Sequence, residues 1–382
     1  MDWYFLTELT GFSPSTYPKI QSILACLMTV RVNDTYLRTL VFTGIPEELR
    51  GLRALVWKVL LNYLPADIRQ WERKLREHRD NYYLLREEFL GRRSDCSTVS
   101  GELSVDEQTW CDIEKDIKRT RQDMHFFFLP TDPAITIESV KSGLLPAQVF
   151  IRPFNSVYSE YYSELQDDND YTRLILNNES IEKHSDVMAR ILFLYAKLNP
   201  GVKYVQGMNE ILAPIYYCFA QDPNPAYQKS VEADAFNCFT LLMAELRDTF
   251  VKSLDSSDTG LQGKMQTLQE FEYRLVPRVY RKLEELKILP HFYAMKWVML
   301  LFTQNFELPE VLRLWDSLLA DENRFTFFYY ICIAVIVLNQ EEILQGDFGE
   351  ALSALQHPKN MDVEVLLEVA AKLRAEDFSR IR

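Results

Sequence analysis

Amphipathic helical periodicity is the feature that most constrains the fold of this 382-residue chain. From Val187 to Leu198, apolar residues recur at i, i+4, i+7, i+8 and i+11, which is the stripe of one helix face. The chain has only 12 Gly and 16 Pro, and they are not clustered, which disfavours long disorder and an all-β sandwich. We therefore predict an all-α fold. Its predicted helices span residues 52–64, 187–198, 205–219, 232–254, 264–286, 294–304, 310–319, 325–344 and 363–374.

Three segments lack this periodicity. Residues 91–107 and 166–170 are rich in small polar or acidic residues, and we predict that they form surface loops. Residues 130–180 mix Pro, Ile, Val, Tyr and Asn without a clear period, which leaves a short strand open there. Pro214 falls inside the predicted helix 205–219 and should kink or divide it.

Charge and hydropathy exclude several classes of protein. The formal net charge of −13 argues against a nucleic-acid binder and disfavours docking on anionic lipid. The longest apolar stretch, residues 325–338, is shorter than the roughly 20 residues of a membrane span, so we predict a buried core helix and no membrane insertion. The N-terminus lacks a signal-peptide pattern, and the six cysteines follow no regular framework, which favours free buried thiols in a reducing cytosol. We expect a soluble, cytoplasmic protein.

The sequence shows no nucleotide-binding or metal-binding motif of an enzyme that carries its own active site. Residues 260–265 have the wrong Gly spacing for a P-loop and lack a Ser or Thr after Lys264. The five histidines are scattered, without the spacing that is typical of metal ligands. A hydrolase with its own nucleotide site, a metalloenzyme and a kinase therefore have no support.

Two short stretches, residues 113–119 and 204–209, carry the most specific chemistry. Arg119 and Gln206 offer a guanidinium and a carboxamide. GTP hydrolysis by a small GTPase uses these two groups when a partner supplies them, the guanidinium for charge on the γ-phosphoryl oxygens and the carboxamide for the attacking water. This pairing suggests a protein that completes the active site of another protein.

Each stretch also has an ordinary structural interpretation. If residues 110–121 are helical, Asp112, Asp116 and Arg119 line one face, and Asp116 with Arg119 would be an i, i+3 surface pair worth a few tenths of a kcal/mol. Against this, Arg119 belongs to a basic island in an acidic protein, which would suit triphosphate charge. The island consists of Lys115, Lys118, Arg119 and Arg121.

Gln206 could simply contact solvent or cap a backbone group. The neighbouring Gly207 lies inside a helical pattern, where Gly costs roughly 1 kcal/mol relative to Ala. It is more easily explained if another backbone or a ligand approaches closely.

Four motifs in fixed order resemble the TBC-domain family, the GTPase-activating proteins for Rab GTPases. They extend over about 270 residues, and their order is far more specific than any one of them. The motifs are Gly44-Ile45-Pro46 followed by Arg53-x-x-x-Trp57, then Ile113-x-x-Asp116-x-x-Arg119, then Tyr204-x-Gln206-Gly207-Met208-Asn209, and finally Arg313-Leu-Trp315-Asp316. One departure from the family pattern is that Arg121-Gln122-Asp123 stands where the family often has an aromatic residue and a proline.

The resemblance implies a V-shaped, all-α domain with a two-finger mechanism. Arg119 would stabilise transition-state charge on the nucleotide of the Rab, and Gln206 would replace the catalytic glutamine of the Rab itself. The implied supporting residues are Asp116 and Tyr204, which would hold the fingers, Gly207 and Asn209 beside Gln206, and Arg53 and Trp57, which would anchor the first helix of the domain beneath them.

The implied function is activation of GTP hydrolysis by a Rab in vesicle trafficking. The partner would be a Rab in its GTP state, recruitment to membranes would pass through that Rab, and GTP and Mg²⁺ would belong to it, so that the chain needs no cofactor or metal. We expect a helical extension over residues 1–35, the domain over 36–345 and a packed helical segment over 346–382. Two alternatives remain open, a catalytically silent Rab-binding scaffold and a helical adaptor without a GTPase partner.

Overall fold

The structure is a computed structural model that describes residues 17–90, 104–131, 182–251, 260–359 and 361–381. The acidic stretch 166–170, most of the predicted loop 91–107 and nearly all of residues 130–180 lie outside the described residues. The described residues contain no strand, and only two isolated antiparallel bridges, Arg31 with Asp67 and Pro130 with Lys183, join extended segments. The all-α prediction is therefore confirmed.

Within the described ranges the chain forms seventeen α-helices, several of them joined by short 3-10 turns. They are α1 (Pro18–Leu27), α2 (Asp34–Val41), α3 (Leu52–Leu60), α4 (Trp71–Leu90), α5 (Val105–Ile117), α6 (His184–Leu198), α7 (Met208–Ala220), α8 (Pro225–Gln228), α9 (Val231–Leu246), α10 (Leu261–Leu275), α11 (Pro277–Glu285), α12 (Met295–Leu300), α13 (Leu308–Ala320), α14 (Arg324–Leu338), α15 (Gln340–Gln345), α16 (Phe348–Gln356) and α17 (Val363–Ile381).

The chain divides into two compact units. The first contains the described residues of Glu47–Leu52 and Leu75–Phe239, and in it α5 and α7 both pack on α6. Helix α7 is buried on every side from Met208 to Phe219, which explains why its sequence is mostly apolar. A 3-10 turn, His125–Phe128, follows α5 and also packs on α6. This unit carries both finger candidates.

The second unit contains the described residues of Ser13–Pro46, Arg53–Lys74 and Thr240–Arg382. Helix α14 packs against α10, α13 and α17 and is apolar along most of its length. The buried core helix predicted from residues 325–338 is thus confirmed. In the part of the chain that the structure describes, no helix combines the length and apolar character that crossing a membrane requires.

The described cysteines are free thiols, and four of them are buried. The buried thiols are Cys26, Cys218, Cys238 and Cys332, whereas Cys111 is half-buried. The prediction of free thiols holds for these positions, and Cys96 lies outside the described residues.

Several predicted helices differ from the structure at identifiable residues. The predicted helix 264–286 is two helices, because Val276 leaves the helical conformation (φ −131°, ψ 55°) before Pro277, which begins α11 as a first-turn proline. The predicted helix 325–344 is likewise interrupted at Asn339, between α14 and α15. Pro214, in contrast, does not divide α7, which runs unbroken from Met208 to Ala220. Burial of the whole helix offsets the one backbone hydrogen bond that this proline removes.

Helix α4 was not among the predicted helices. Its sequence is mostly charged, so the apolar stripe is thin. The buried side chains include Trp71, Leu75 and Tyr82, at i, i+4 and i+11. Periodicity alone does not distinguish a helix with so narrow an apolar stripe from a solvated segment.

Candidate catalytic site

Arg119 projects from the turn that ends α5. The helix begins with a capping box, in which Ser104 and Glu107 accept each other's backbone N–H groups, and it ends at Ile117, so residues 118–121 are not part of it. Arg121 then adopts a left-handed conformation (φ 46°), which turns the chain away from the helix axis. The Arg119 side chain is 62% exposed and is therefore available to a partner.

The Arg119 guanidinium is held by its own helix end. Its Nη2 donates to Asp116 Oδ1 at 2.6 Å, and its Nε donates to the carbonyl oxygen of Lys115 at 3.2 Å. The Asp116 side chain is only 7% exposed, so the interpretation of an ordinary surface pair is wrong for one of the two partners. Asp112, in contrast, is solvated and pairs with Lys115.

The basic island is smaller than predicted. Lys115 and Lys118 are exposed, as is Arg119. Arg121 is buried, with a side chain that is 8% exposed, because its left-handed backbone directs it into the protein. The island therefore presents three cations to solvent rather than four.

Gln206 is exposed and occupies a tight turn before α7. The turn is closed by the Met208 N–H, which donates to the Val205 carbonyl oxygen at 3.1 Å. Gly207 is the third residue of this turn, with φ 104°. A positive φ at this position strongly favours Gly. Gly207 therefore precedes the helix rather than lying inside it, and its positive φ accounts for a glycine at this position.

Buried hydrogen bonds join the arginine segment to the glutamine segment. Tyr204 Oη donates to Asp116 Oδ2 at 2.7 Å, so one carboxylate holds both Arg119 and the residue two before Gln206. Asn209 Oδ1 accepts the Gly207 N–H at 3.1 Å, and Asn209 Nδ2 donates to Thr120 Oγ1 at 2.8 Å. Burial, together with the bond to Asp116, raises the pKa of Tyr204 well above its usual range, so its hydroxyl stays a donor.

The supporting residues Arg53 and Trp57 belong to the second unit, where they bind a fully buried carboxylate. Arg53 Nε donates to Asp316 Oδ1 at 3.1 Å, and Trp57 Nε1 donates to the same oxygen at 2.8 Å. The backbone N–H of Ile45 donates to Asp316 Oδ2 at 2.8 Å. These bonds attach α3 and the Gly44–Pro46 segment to α13.

Two residues of these networks had no predicted role. Asp316 stands in the Arg313–Asp316 motif, but its sequence neighbours do not reveal that Arg53 and Trp57 converge on it. Thr120 directly follows Arg119 and is 1% exposed. A buried threonine beside an exposed arginine leaves no distinctive pattern in one sequence. Among the residues described, no group of three or more His, Cys, Asp or Glu side chains is arranged to hold a metal ion.

Comparison with known proteins agrees with the motif order. The family model described as Rab-GTPase-TBC domain matches residues 153–344, a range that includes Gln206 and begins after Arg119. TBC1 domain family member 13 of Homo sapiens is 39% identical over 380 aligned positions, which cover 88% of this chain and 93% of the relative. Its counterpart in Mus musculus has the same identity and coverage.

A solved structure supports the fold. The crystal structure of the Ypt/Rab-GAP domain of Gyp1p superposes with a TM-score of 0.68 at 21% identity, covering 94% of this chain and 99% of that one. At this identity the likeness concerns the fold alone. The fold, the family match and the two similar relatives converge on one assignment. The chain belongs to the Rab-GTPase-TBC domain family.

Proposed function

We propose that this protein accelerates GTP hydrolysis by a Rab GTPase by inserting Arg119 and Gln206 into the nucleotide site of the Rab. The observation that carries the proposal is the shared Asp116 carboxylate, which accepts hydrogen bonds from both Arg119 and Tyr204. The segments that carry these two exposed side chains, 87 positions apart in sequence, are thereby joined by one hydrogen-bond network. Preorganised donors directed at developing charge usually make the greatest single contribution to catalysis.

The two side chains have separate tasks in this mechanism. The Arg119 guanidinium neutralises charge on the γ-phosphoryl oxygens, which for an arginine finger is worth about 10³ to 10⁵ in rate. The Gln206 carboxamide orients the attacking water, in place of the glutamine that the Rab would use alone. GTP and Mg²⁺ are held by the Rab in its GTP state, and the chain contributes no cofactor.

The cellular setting follows from the partner. We propose that the protein acts from the cytoplasm, reaches membranes through its Rab and limits the active lifetime of that Rab in vesicle trafficking. Its family membership supports the Rab as the class of partner. The candidate site offers side chains that reach outward, and neither Arg119 nor Gln206 is enclosed in a pocket of this chain.

Single-turnover GTP hydrolysis across a panel of Rab proteins tests the proposal. We expect at least one Rab preloaded with GTP to be accelerated by about 10³-fold or more. A catalytically silent scaffold would bind a GTP-loaded Rab without changing its hydrolysis rate. A helical adaptor would neither bind nor accelerate any member. Retention on a Rab loaded with GDP and aluminium fluoride separates these two outcomes, because only a Rab-binding protein would be retained.

A further inference from the structure

We propose that Thr120 and Asn209 form a positioning strut that fixes the Gln206 turn against the end of α5. This inference rests on the proposed function, because it concerns the alignment of the two fingers. Neither residue touches the partner in this account, since Thr120 is 1% exposed and Asn209 is 4% exposed. They are positioning residues and act through Gln206.

The strut consists of hydrogen bonds that join Thr120 and Asn209 to each other and to the two finger segments. The Thr120 hydroxyl donates to the Asp116 carbonyl oxygen at 2.9 Å and accepts from Asn209 Nδ2 at 2.8 Å. The Asn209 side-chain oxygen accepts the N–H of Gly207, the residue directly after Gln206. Tyr204 Oη lies 3.3 Å from that same oxygen. One buried carboxamide therefore contacts the residue that follows each proposed finger.

The strut holds the glutamine segment at a second point, which the Asp116 network does not provide. Asp116 holds Arg119 directly, but it reaches the glutamine segment only through Tyr204, two residues before Gln206. Gln206 lies in a turn whose next residue, Gly207, has a positive φ. Asn209 binds the backbone on the other side of Gln206. With Tyr204 before it and Gly207 after it, the turn is held on both sides.

Small displacements at such a position have large effects on rate. A shift of about 1 Å in a catalytic group can cost about a hundredfold in rate. Replacing Thr120 by Val keeps a β-branched side chain but removes the hydroxyl, so Asn209 Nδ2 loses its acceptor at 2.8 Å and keeps only the Asp116 carbonyl oxygen at 3.5 Å. Arg119 keeps its bonds to Asp116 and to the Lys115 carbonyl oxygen. The expected defect is therefore a misplaced Gln206 beside a correctly placed Arg119.

The test compares Thr120→Val and Thr120→Ser in single-turnover hydrolysis with a Rab that the wild type accelerates. We expect Thr120→Val to lower the maximal rate by about tenfold to a hundredfold, with less than about a threefold change in the half-saturating concentration. Thr120→Ser keeps the hydroxyl and should restore the wild-type rate. Thr109→Val is the matched control, because the Thr109 hydroxyl makes the same bond to the carbonyl four residues back on α5 without a cross-link. It should leave the rate unchanged.

A second background separates positioning from general damage. In Gln206→Ala, Thr120→Val should lower the remaining rate by less than about threefold, because no carboxamide is left to misplace. An equal loss in both backgrounds, or a wild-type rate for Thr120→Val, would overturn the proposal. If Thr120→Val does not fold, Thr120→Ala replaces it and faces the same two outcomes. A wild-type protein that accelerates no Rab would instead refute the proposed function, and the strut with it.

Discussion

Two buried carboxylates of this protein accept hydrogen bonds from similar donors, but their arginine partners differ in solvent exposure. Asp116 in the first unit accepts hydrogen bonds from Arg119 and Tyr204, and Asp316 in the second accepts them from Arg53 and Trp57. Both carboxylates are buried. The difference lies in the arginines, since the Arg119 side chain is 62% exposed and that of Arg53 is 12% exposed.

This difference distinguishes a structural ion pair from a proposed functional one. A buried arginine balances a carboxylate that has left water, and the pair holds elements together. An exposed arginine gains little stability from the same bond, since surface ion pairs contribute about 0–1 kcal/mol. The Asp116 pair therefore serves mainly to orient Arg119. Removing each arginine should accordingly damage a different property.

The largest expected effect is on catalysis at the exposed pair. Arg119→Ala should reduce Rab GTP hydrolysis by about 10³ to 10⁵, equivalent to about 4–7 kcal/mol of transition-state stabilisation. Its melting temperature should stay close to that of the wild type, because the Arg119 side chain is mostly exposed and Asp116 keeps its hydrogen bond from Tyr204. Lys115→Ala is the matched control, since it removes another i, i+3 pair from the same helix and should change the rate far less. A large melting shift in Arg119→Ala would show that this arginine is structural.

The buried pair should respond in stability instead. Arg53→Ala leaves Asp316 as a buried charge without its guanidinium, a change that costs about 3–5 kcal/mol of unfolding free energy. Urea unfolding measures this loss. Arg69→Ala is the control, because it removes an arginine from an exposed pair with Asp67 and should change stability little. Equal unfolding free energies for the two variants would contradict the contrast.

Gln206→Ala should lower the rate of GTP hydrolysis less than Arg119→Ala does, and it should leave stability unchanged. Losing one preorganised donor typically costs about 10² to 10³ in rate, and we expect this loss even though the Rab keeps its own glutamine. The measurement is the single-turnover rate, with the melting temperature as the control. Full activity in Gln206→Ala would remove the glutamine from the mechanism.

A third buried carboxyl lacks an arginine and sharpens the comparison. Glu272 on α10 is buried and accepts a hydrogen bond from Tyr293. Burial raises the pKa of Glu272 to about 7, partly offset by the Tyr293 bond. A guanidinium balances the buried negative charge of Asp116 and of Asp316. Glu272 is instead expected to hold a proton near neutral pH.

The sign of the resulting pH dependence follows from this raised pKa. Below the unfolded value of 4.5, both states hold the proton and the contribution to stability is complete. As the pH rises through the folded value, the folded state must ionise a buried group, and up to about 3 kcal/mol is lost. Unfolding of the wild type and of Glu272→Gln between pH 4.5 and 8 should show this loss in the difference between the two. A difference independent of pH would mean that Glu272 titrates normally.

Helical periodicity predicted the architecture well wherever one face of a helix is apolar. It placed α6 and α13 within a few residues of their observed bounds. It failed where a local backbone conformation overrides periodicity, because Gly207 delays the start of α7 and Val276 before Pro277 ends α10, although the apolar pattern continues in both places. It also missed α4, whose buried stripe is thin. The domain divisions after residues 35 and 345 remain predictions.

The candidate site was predictable by residue type but not by its hydrogen-bond connections. The motifs named Asp116, Tyr204 and Asn209 as supports, yet a sequence does not show that Asp116 is buried or that Thr120 meets Asn209 across 89 positions. The basic island illustrates the same limit, because the left-handed backbone of Arg121 buries a cation that composition places at the surface. Contacts between distant segments depend on packing, which periodicity does not specify.

The central claim is that one network presents an arginine and a glutamine to the nucleotide of another protein. The most direct test uses an accelerated Rab whose own catalytic glutamine has been replaced by alanine. The account predicts that the wild-type protein still accelerates GTP hydrolysis by this Rab, and that Gln206→Ala does not. If the altered Rab were no longer accelerated by the wild-type protein, the glutamine would have to come from the Rab, and the two-finger account would be contradicted.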